Sequence, residues 1–208
     1  MHIMNNVIYK IVDYLICYSH NQQDIGLFHG KMGVVLALAS YAKHHKDDFV
    51  KNFTWELYEE VFHNIKSEMS LGIENGLSGI AYGTTLLKQI GFVDCDLNYV
   101  LQDVDSKIME YDPRRITDIS FHRGLSGVLS YISIRERNGE IISTFDNQYI
   151  IELKEQWRLM TGKSSLLSLN IFDFINEPGF KINDYIDQPI GIDRGVSYFL
   201  LHQNFSIT

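Results

Sequence analysis

Side chains able to do acid–base or charge chemistry stand beside glycines at several places in this sequence. His29 precedes Gly30, Glu74 and Asn75 precede Gly76, His122 and Arg123 precede Gly124, and Asp193 and Arg194 precede Gly195. His29 and His122 are candidate general acids or bases, since histidine changes charge near neutral pH. Arg123 joins them as a candidate catalytic residue, able to orient a carboxylate or hold an enolate-like charge. Glu74, Asn75, Asp193 and Arg194 are the candidate substrate-binding residues. This set fits metal-free Michael-type addition or simple peptide binding. The competing expectation is structural: helix capping, and ion pairs across the repeat such as Glu74 with Arg123. His44, His45 and His63 fall at a helix end and on a polar helix face, and are read as structural.

The elements that must position these residues repeat. Gly26-Leu27-Phe28-His29-Gly30-Lys31-Met32-Gly33 leads into the apolar run 34–39. Gly72 to Gly79, Phe121 to Gly127 and, more worn, Gly191 to Tyr198 echo it. Gly30, Gly76, Gly124 and Gly195 are about 46, 48 and 71 residues apart, a spacing that signals a repeat architecture. Each unit reads as glycine, apolar residue, two variable residues, Gly-x-x-Gly and a helical run. The leading glycine is expected to take a positive φ and turn the chain. The following pair costs a helix start about 1 kcal/mol per glycine relative to alanine, so close backbone approach is the expected gain.

Amphipathic stretches alternate with these apolar helices. Residues 3–19 carry one apolar stripe. Thr54 reads as the N-cap of a helix on Leu57, Val61 and Ile65. Residues 96–110 place Leu97, Val100, Leu101, Val104 and Ile108 on one face. Residues 146–160 do so with Ile150, Ile151, Leu153, Trp157 and Leu159. The helices after the second and third glycine units should stop at Gly91 and at Asn138-Gly139. Lys43 to Lys46 suit a helix C-terminus. A helix apolar on most sides is buried on most sides, so the alternation predicts inner glycine-led helices covered by outer amphipathic ones. Such hairpins either stack into an open solenoid or curl into a barrel. The expected fold is all-α, a toroid-like partial barrel of four helical hairpins in one domain spanning 1–208. Residues 162–189 interrupt the pattern, with weak strand character over 166–175 and a turn at Asn176-Glu177-Pro178-Gly179.

Composition narrows the partners. Of 208 residues, 45% are hydrophobic and 21% charged, enough apolar content for a sizeable core. A net charge of −8 argues against nonspecific binding to nucleic acid or an anionic membrane. No run approaches the ~20 apolar residues of a membrane span. Cys17 and Cys95 form no CxxC and read as free thiols of a reducing compartment, so a cytoplasmic location is expected. No nucleophile elbow or phosphate loop is present: no strand precedes Ser78, and Gly162-Lys163-Ser164 lacks the upstream glycine.

The motif Gly-Leu-x-His-Gly-x-x-Gly-Val at Gly26–Val34, echoed by Gly-Leu-Ser-Gly at 76–79 and 124–127, resembles the lanthionine synthetase C-like (LanC-like) family of lanthipeptide cyclases. The resemblance implies an α/α toroid whose glycine-led inner helices line a central cavity. It implies a zinc ion held by two cysteines and a histidine, activating a peptide thiol for addition to a dehydroalanine or dehydrobutyrine. The chain departs from that pattern. Four units are fewer than the family's ring contains. Phe28 stands where the cyclase cysteine would be, beside the matching His29. His122 is displaced one place by Arg123, and neither cysteine lies in a glycine unit. A tetrahedral zinc site needs converging ligands that this sequence does not offer, so no cofactor is expected.

The sequence therefore leads to a LanC-like protein that modifies or binds a peptide or protein substrate. The alternative is a noncatalytic α/α repeat module for protein–protein interaction or self-assembly. Four units would also expose the flanks of the first and last hairpins, which invites a homo-oligomer.

Overall fold

A computed structural model describes all residues except 1, 67, 138–141, 164–169 and 205–208. Among the described residues there are helices and no strands, as expected for an all-α chain. In chain order the α-helices are α1 (His2–Ser19), α2 (Lys31–His45), α3 (Asp48–His63), α4 (Leu77–Gln89), α5 (Leu97–Val100), α6 (Gln102–Met109), α7 (Leu125–Arg137), α8 (Asn147–Thr161) and α9 (Ser197–Asn204). They gather into two compact units. Unit 1 comprises Met1–Ile65 with Ile175–Thr208, and unit 2 comprises Lys66–Phe174.

In unit 1, α2 is buried from Lys31 through Ala42 and packs against α1, α3 and α9. The first and last glycine-led helices therefore lie on each other, and the flank expected to be open on α2 carries α9. In unit 2, α4 is buried from Leu77 through Leu87 and packs on α7 and α6, while α8 covers α7. Within each unit the expected division holds, with glycine-led helices inside and amphipathic helices showing one face to solvent.

The boundaries follow from local chemistry, with corrections. Helix α3 starts earlier than read: its N-cap is Asp47, whose carboxylate accepts from the Val50 N–H. Thr54 is fully buried in mid-helix, and its hydroxyl donates to the Val50 carbonyl at 2.6 Å. The stretch 96–110 is two helices broken at Leu101 (φ −99°, ψ 4°). Most of its apolar set survives the break: Leu97, Leu101, Val104 and Ile108 are buried, whereas Val100 is only half-buried. The buried stripe of α8 is Tyr149, Leu153 and Trp157, whereas Ile151 and Leu159 are exposed. In place of strand, Ile171–Phe174 forms a 3-10 turn; the rest of the expected strand, residues 166–169, lies outside the described residues, as does Asn138-Gly139. Helix α4 ends before Gly91 (φ 68°) and α8 before Gly162 (φ 68°).

One buried ion pair ties unit 2 together. Asp105 on α6 and Arg135 on α7 are both fully buried, with Nη1 to Oδ2 at 2.7 Å. The Tyr131 hydroxyl and Thr144 donate to the same carboxylate, and Arg135 Nη2 donates to Asn98. Burial pushes the Asp105 carboxyl above its usual range, against the pull of Thr144, Tyr131 and Arg135. Such a pair is stabilising only while every partner is present.

The repeat itself is a closed turn. The amide just after the glycine that ends each unit's turn donates to the carbonyl seven residues earlier: Lys31 to Asp24 at 2.8 Å, Leu77 to Ser70 at 2.9 Å, Leu125 to Asp118 at 2.8 Å and Val196 to Pro189 at 2.7 Å. That carbonyl fills the space above the preceding glycine. A Cβ on Gly124 would lie 2.1 Å from the Asp118 oxygen, and one on Gly30 2.6 Å from that of Asp24. Close approach, the expected gain, is therefore the reason for these glycines. The expected positive φ at the leading glycines is not found: among the described residues, positive-φ glycines are Gly91 and Gly162.

Gly124→Ala should cost about 3 kcal/mol or more in a urea titration, because backbone must move to admit the methyl. Gly179→Ala, with nothing within 4 Å of its Cβ, should change stability by less than about 0.5 kcal/mol.

Candidate functional site

The closed turns dock on each other in pairs, one pair in each unit. In unit 1 the fourth turn lies on the first, where Ile192 and Asp193 N–H donate to the Phe28 carbonyl at 2.9 and 3.0 Å. In unit 2 the second turn lies on the third, where Glu74 N–H donates to the His122 carbonyl at 2.9 Å. The leading glycines permit this. A Cβ on Gly191 would lie 2.6 Å from the His29 Cα, and one on Gly72 2.9 Å from the Arg123 Cα. An isoleucine then covers the helix-start glycine of its partner, Ile192 over Gly33 and Ile73 over Gly127.

This docking fixes a common register. Glu74 and Asp193 both stand two places before the glycine that caps their helix, and His29 and Arg123 both stand one place before theirs. Docking brings each carboxylate to the basic side chain of its partner turn. Arg123 Nε lies 3.4 Å from Glu74 Oε2, and His29 Nε2 lies 3.9 Å from Asp193 Oδ2. The candidate residues thus fall into two equivalent clusters: His29, Asp193 and Arg194 in unit 1, and Glu74, Asn75, His122 and Arg123 in unit 2. The pairing of Glu74 with Arg123 expected across the repeat is present. Arg123 is 80% exposed at its side chain, so this pair contributes at most about 1 kcal/mol to stability. His122 gives its carbonyl to the docking, and its ring lies edge-on to Phe174 at 5.9 Å, while Phe174 stacks on Phe121. Arg194 is exposed and held at φ 53°. For a residue with a Cβ, that left-handed conformation costs about 1–2 kcal/mol.

Chemically, each cluster sets a largely buried carboxylate beside a more exposed hydrogen-bond donor. The His29–Asp193 separation is an ion-pair distance, longer than a hydrogen bond. It suits proton exchange with, or polar binding of, a third group. The donor set of a thiolate zinc site does not fit these turns. Phe28 is fully buried hydrocarbon beside His29. Cys17 is exposed on α1 and Cys95 lies in the loop before α5. Among the described residues no three His, Cys, Asp or Glu side chains are grouped to hold a metal ion.

Two features escaped sequence reasoning. Lys31 occupies the position filled by Leu77, Leu125 and Val196 in the other units, yet it is buried. Its ammonium donates to Glu60 on α3 and to the His20 carbonyl, and the His20 ring bonds the other Glu60 oxygen at 3.1 Å. A charge at a repeat position that is otherwise apolar was the available signal. The second is Asn176, read only as part of a turn. Its backbone N–H and Nδ2 both donate to Asp193 Oδ1, at 2.6 and 2.8 Å.

No family model, curated protein or solved structure matches this chain. Among the described residues, no helix is long and apolar enough to cross a membrane.

Burial raises the Glu60 carboxyl, but the hydrogen bonds and charges of Lys31 and His20 outweigh it and leave the pKa below the ordinary 4.5. A depressed folded-state pKa stabilises above the unfolded value and is lost as pH falls through the folded one. Lys31→Met, restoring an apolar residue, should therefore remove the part of the acid sensitivity that the Lys31–Glu60 pair contributes. The stability advantage of the wild type over this variant should shrink as pH drops below 4.5, measured by urea unfolding across pH 3–7. An unchanged difference over that range would contradict the assigned pairing.

Proposed function

We propose that this chain is a LanC-like α/α repeat protein that binds a peptide at its glycine turns without zinc. The observation that carries the proposal is the pair of equivalent clusters, in which docked turns set Glu74 against Arg123 and Asp193 against His29. The exposed Arg123 side chain adds little to stability through its pair with Glu74, which leaves the guanidinium available to a ligand. The α/α toroid that the resemblance implies belongs to the same proposal. In support, the fourth turn docks on the first by the contact that joins the second to the third. Arg123 supplies an exposed guanidinium for a peptide carboxylate, and His29 and His122 supply imidazoles.

A noncatalytic binding role is favoured over turnover by the chemistry at the first turn. With Phe28 in the cysteine's place, no thiolate-bound metal activates a substrate thiol there. Peptide binding then rests on Arg123, His29 and the carboxylates alone.

The test uses a synthetic peptide carrying a cysteine, a dehydroalanine and a free C-terminal carboxylate. Binding is followed by fluorescence anisotropy and thiol loss by mass spectrometry after alkylation. Binding with the thiol retained is the expected result. Arg123→Glu should weaken it about tenfold or more, the loss of one charge-assisted hydrogen bond. Thiol loss would restore a cyclase role. No binding, or an affinity untouched by Arg123→Glu, would contradict the proposal.

A further inference from the structure

A short segment of the chain is seated on the fourth glycine turn in the way a bound peptide would be. Asn176 engages it with three groups. Its backbone N–H and Nδ2 donate to Asp193 Oδ1, and its carbonyl accepts the Arg194 N–H at 3.0 Å. One residue on, Glu177 Oε1 accepts from the Tyr198 hydroxyl at 3.2 Å. Phe180 then meets the ring of Phe199 at 5.8 Å. All four receiving residues belong to the fourth turn and the start of α9.

The two sides of this contact differ in character. The receiving carboxylate belongs to Asp193, whose residue is only 8% exposed. The N–H that meets the Asn176 carbonyl belongs to Arg194, in the left-handed conformation a side chain rarely adopts. Backbone strain of this kind is characteristic of ligand clamps. The occupant, by contrast, is exposed at Asn176 and Glu177. Two amide donors on one carboxylate oxygen, a carbonyl on a strained amide and a carboxylate–phenol pair together form a recognition pattern. It reads a carboxamide, then a carboxylate, then an aromatic ring three residues further on.

We propose that Asp193, Arg194, Tyr198 and Phe199 form a binding site for extended peptides of the pattern Asn-Glu-x-x-Phe, which residues 176–180 occupy in cis. The inference rests on the peptide-binding reading and names the ligand class for the unit 1 turns. A tethered segment acts at an effective concentration on the order of millimolar. A free peptide must compete with that, so binding in trans is weak until the tethered copy is removed.

The experiment measures anisotropy of a fluorescein-labelled synthetic peptide with the sequence of residues 175–181, titrated with the full chain. The expected result is that Asn176→Ala protein binds it up to about tenfold more tightly than wild type, because loss of the Nδ2 bond weakens the cis competitor. A peptide with alanine in place of its asparagine should lose at least about tenfold against the same protein, the loss of a hydrogen bond to a charged group. Circular dichroism checks that the variant is folded. Should Asn176→Ala reduce folded protein, Asn176→Asp, which sets one carboxylate against another, replaces it. Equal binding by wild type and folded variant, or equal binding of both peptides, overturns the proposal. The outcome is separable from that of the LanC-like reading. Binding of this peptide without binding of the cysteine–dehydroalanine peptide removes only the family assignment, and the reverse removes only the cis ligand.

Discussion

A carbonyl oxygen placed where a Cβ would be is the constraint on which the rest depends. In each of the four turns, the amide just after the closing glycine reaches back seven residues to that oxygen, and only glycine leaves room for it. The bond does two things. It satisfies one of the orphan amides at a helix start where no side chain caps. It also folds the four residues before the helix into a fixed shape, so the two positions just ahead of the capping glycine are always presented alike. His29, Glu74, Asn75, His122, Arg123, Asp193 and Arg194 all stand at those two positions.

Docking of one turn on another turns the repeat into a site. The amide that donates across the pair belongs to the residue carrying the carboxylate, Glu74 or Asp193, so backbone register and charge pairing are set by one contact. Hydrophobic burial supplies the stability behind it, through α2 against α9 in unit 1 and α4 against α7 in unit 2. The exposed pair of Arg123 with Glu74 contributes little to folding. The turns can therefore differ in chemistry while keeping the same backbone: imidazole beside a phenylalanine in one, guanidinium in another.

Much of this was legible in the sequence because it rests on backbone requirements. The glycine spacing located the buried helices, and Gly91 marked where α4 stops. The pairing of Glu74 with Arg123 followed from the repeat. What was not legible depended on long-range partners. Thr54 looks like a cap because threonine favours that place, but its hydroxyl is satisfied within α3 and its methyl lies on the buried stripe with Val50, Leu57 and Val61. Leu101 leaves the helix without a proline or glycine to announce it. The role of Asn176 depends on a residue 17 positions away in the chain, and nothing in a turn sequence declares which carboxylate it will meet. His122 appeared misplaced by one residue, yet the position it holds supplies the carbonyl that receives the second turn.

The account stands on the fourth turn docking on the first as the second docks on the third. Nuclear Overhauser contacts measure this directly. With isoleucine methyls labelled, the Ile192 methyl should show cross-peaks to the Gly33 α-protons and the Ile73 methyl to those of Gly127, since those side chains lie within 3.1 Å of where a glycine Cβ would be. Both contacts at comparable strength are the predicted result. The Ile73 contact without the Ile192 contact would contradict the shared docking, and with it the equivalence of the Glu74–Arg123 and Asp193–His29 pairs.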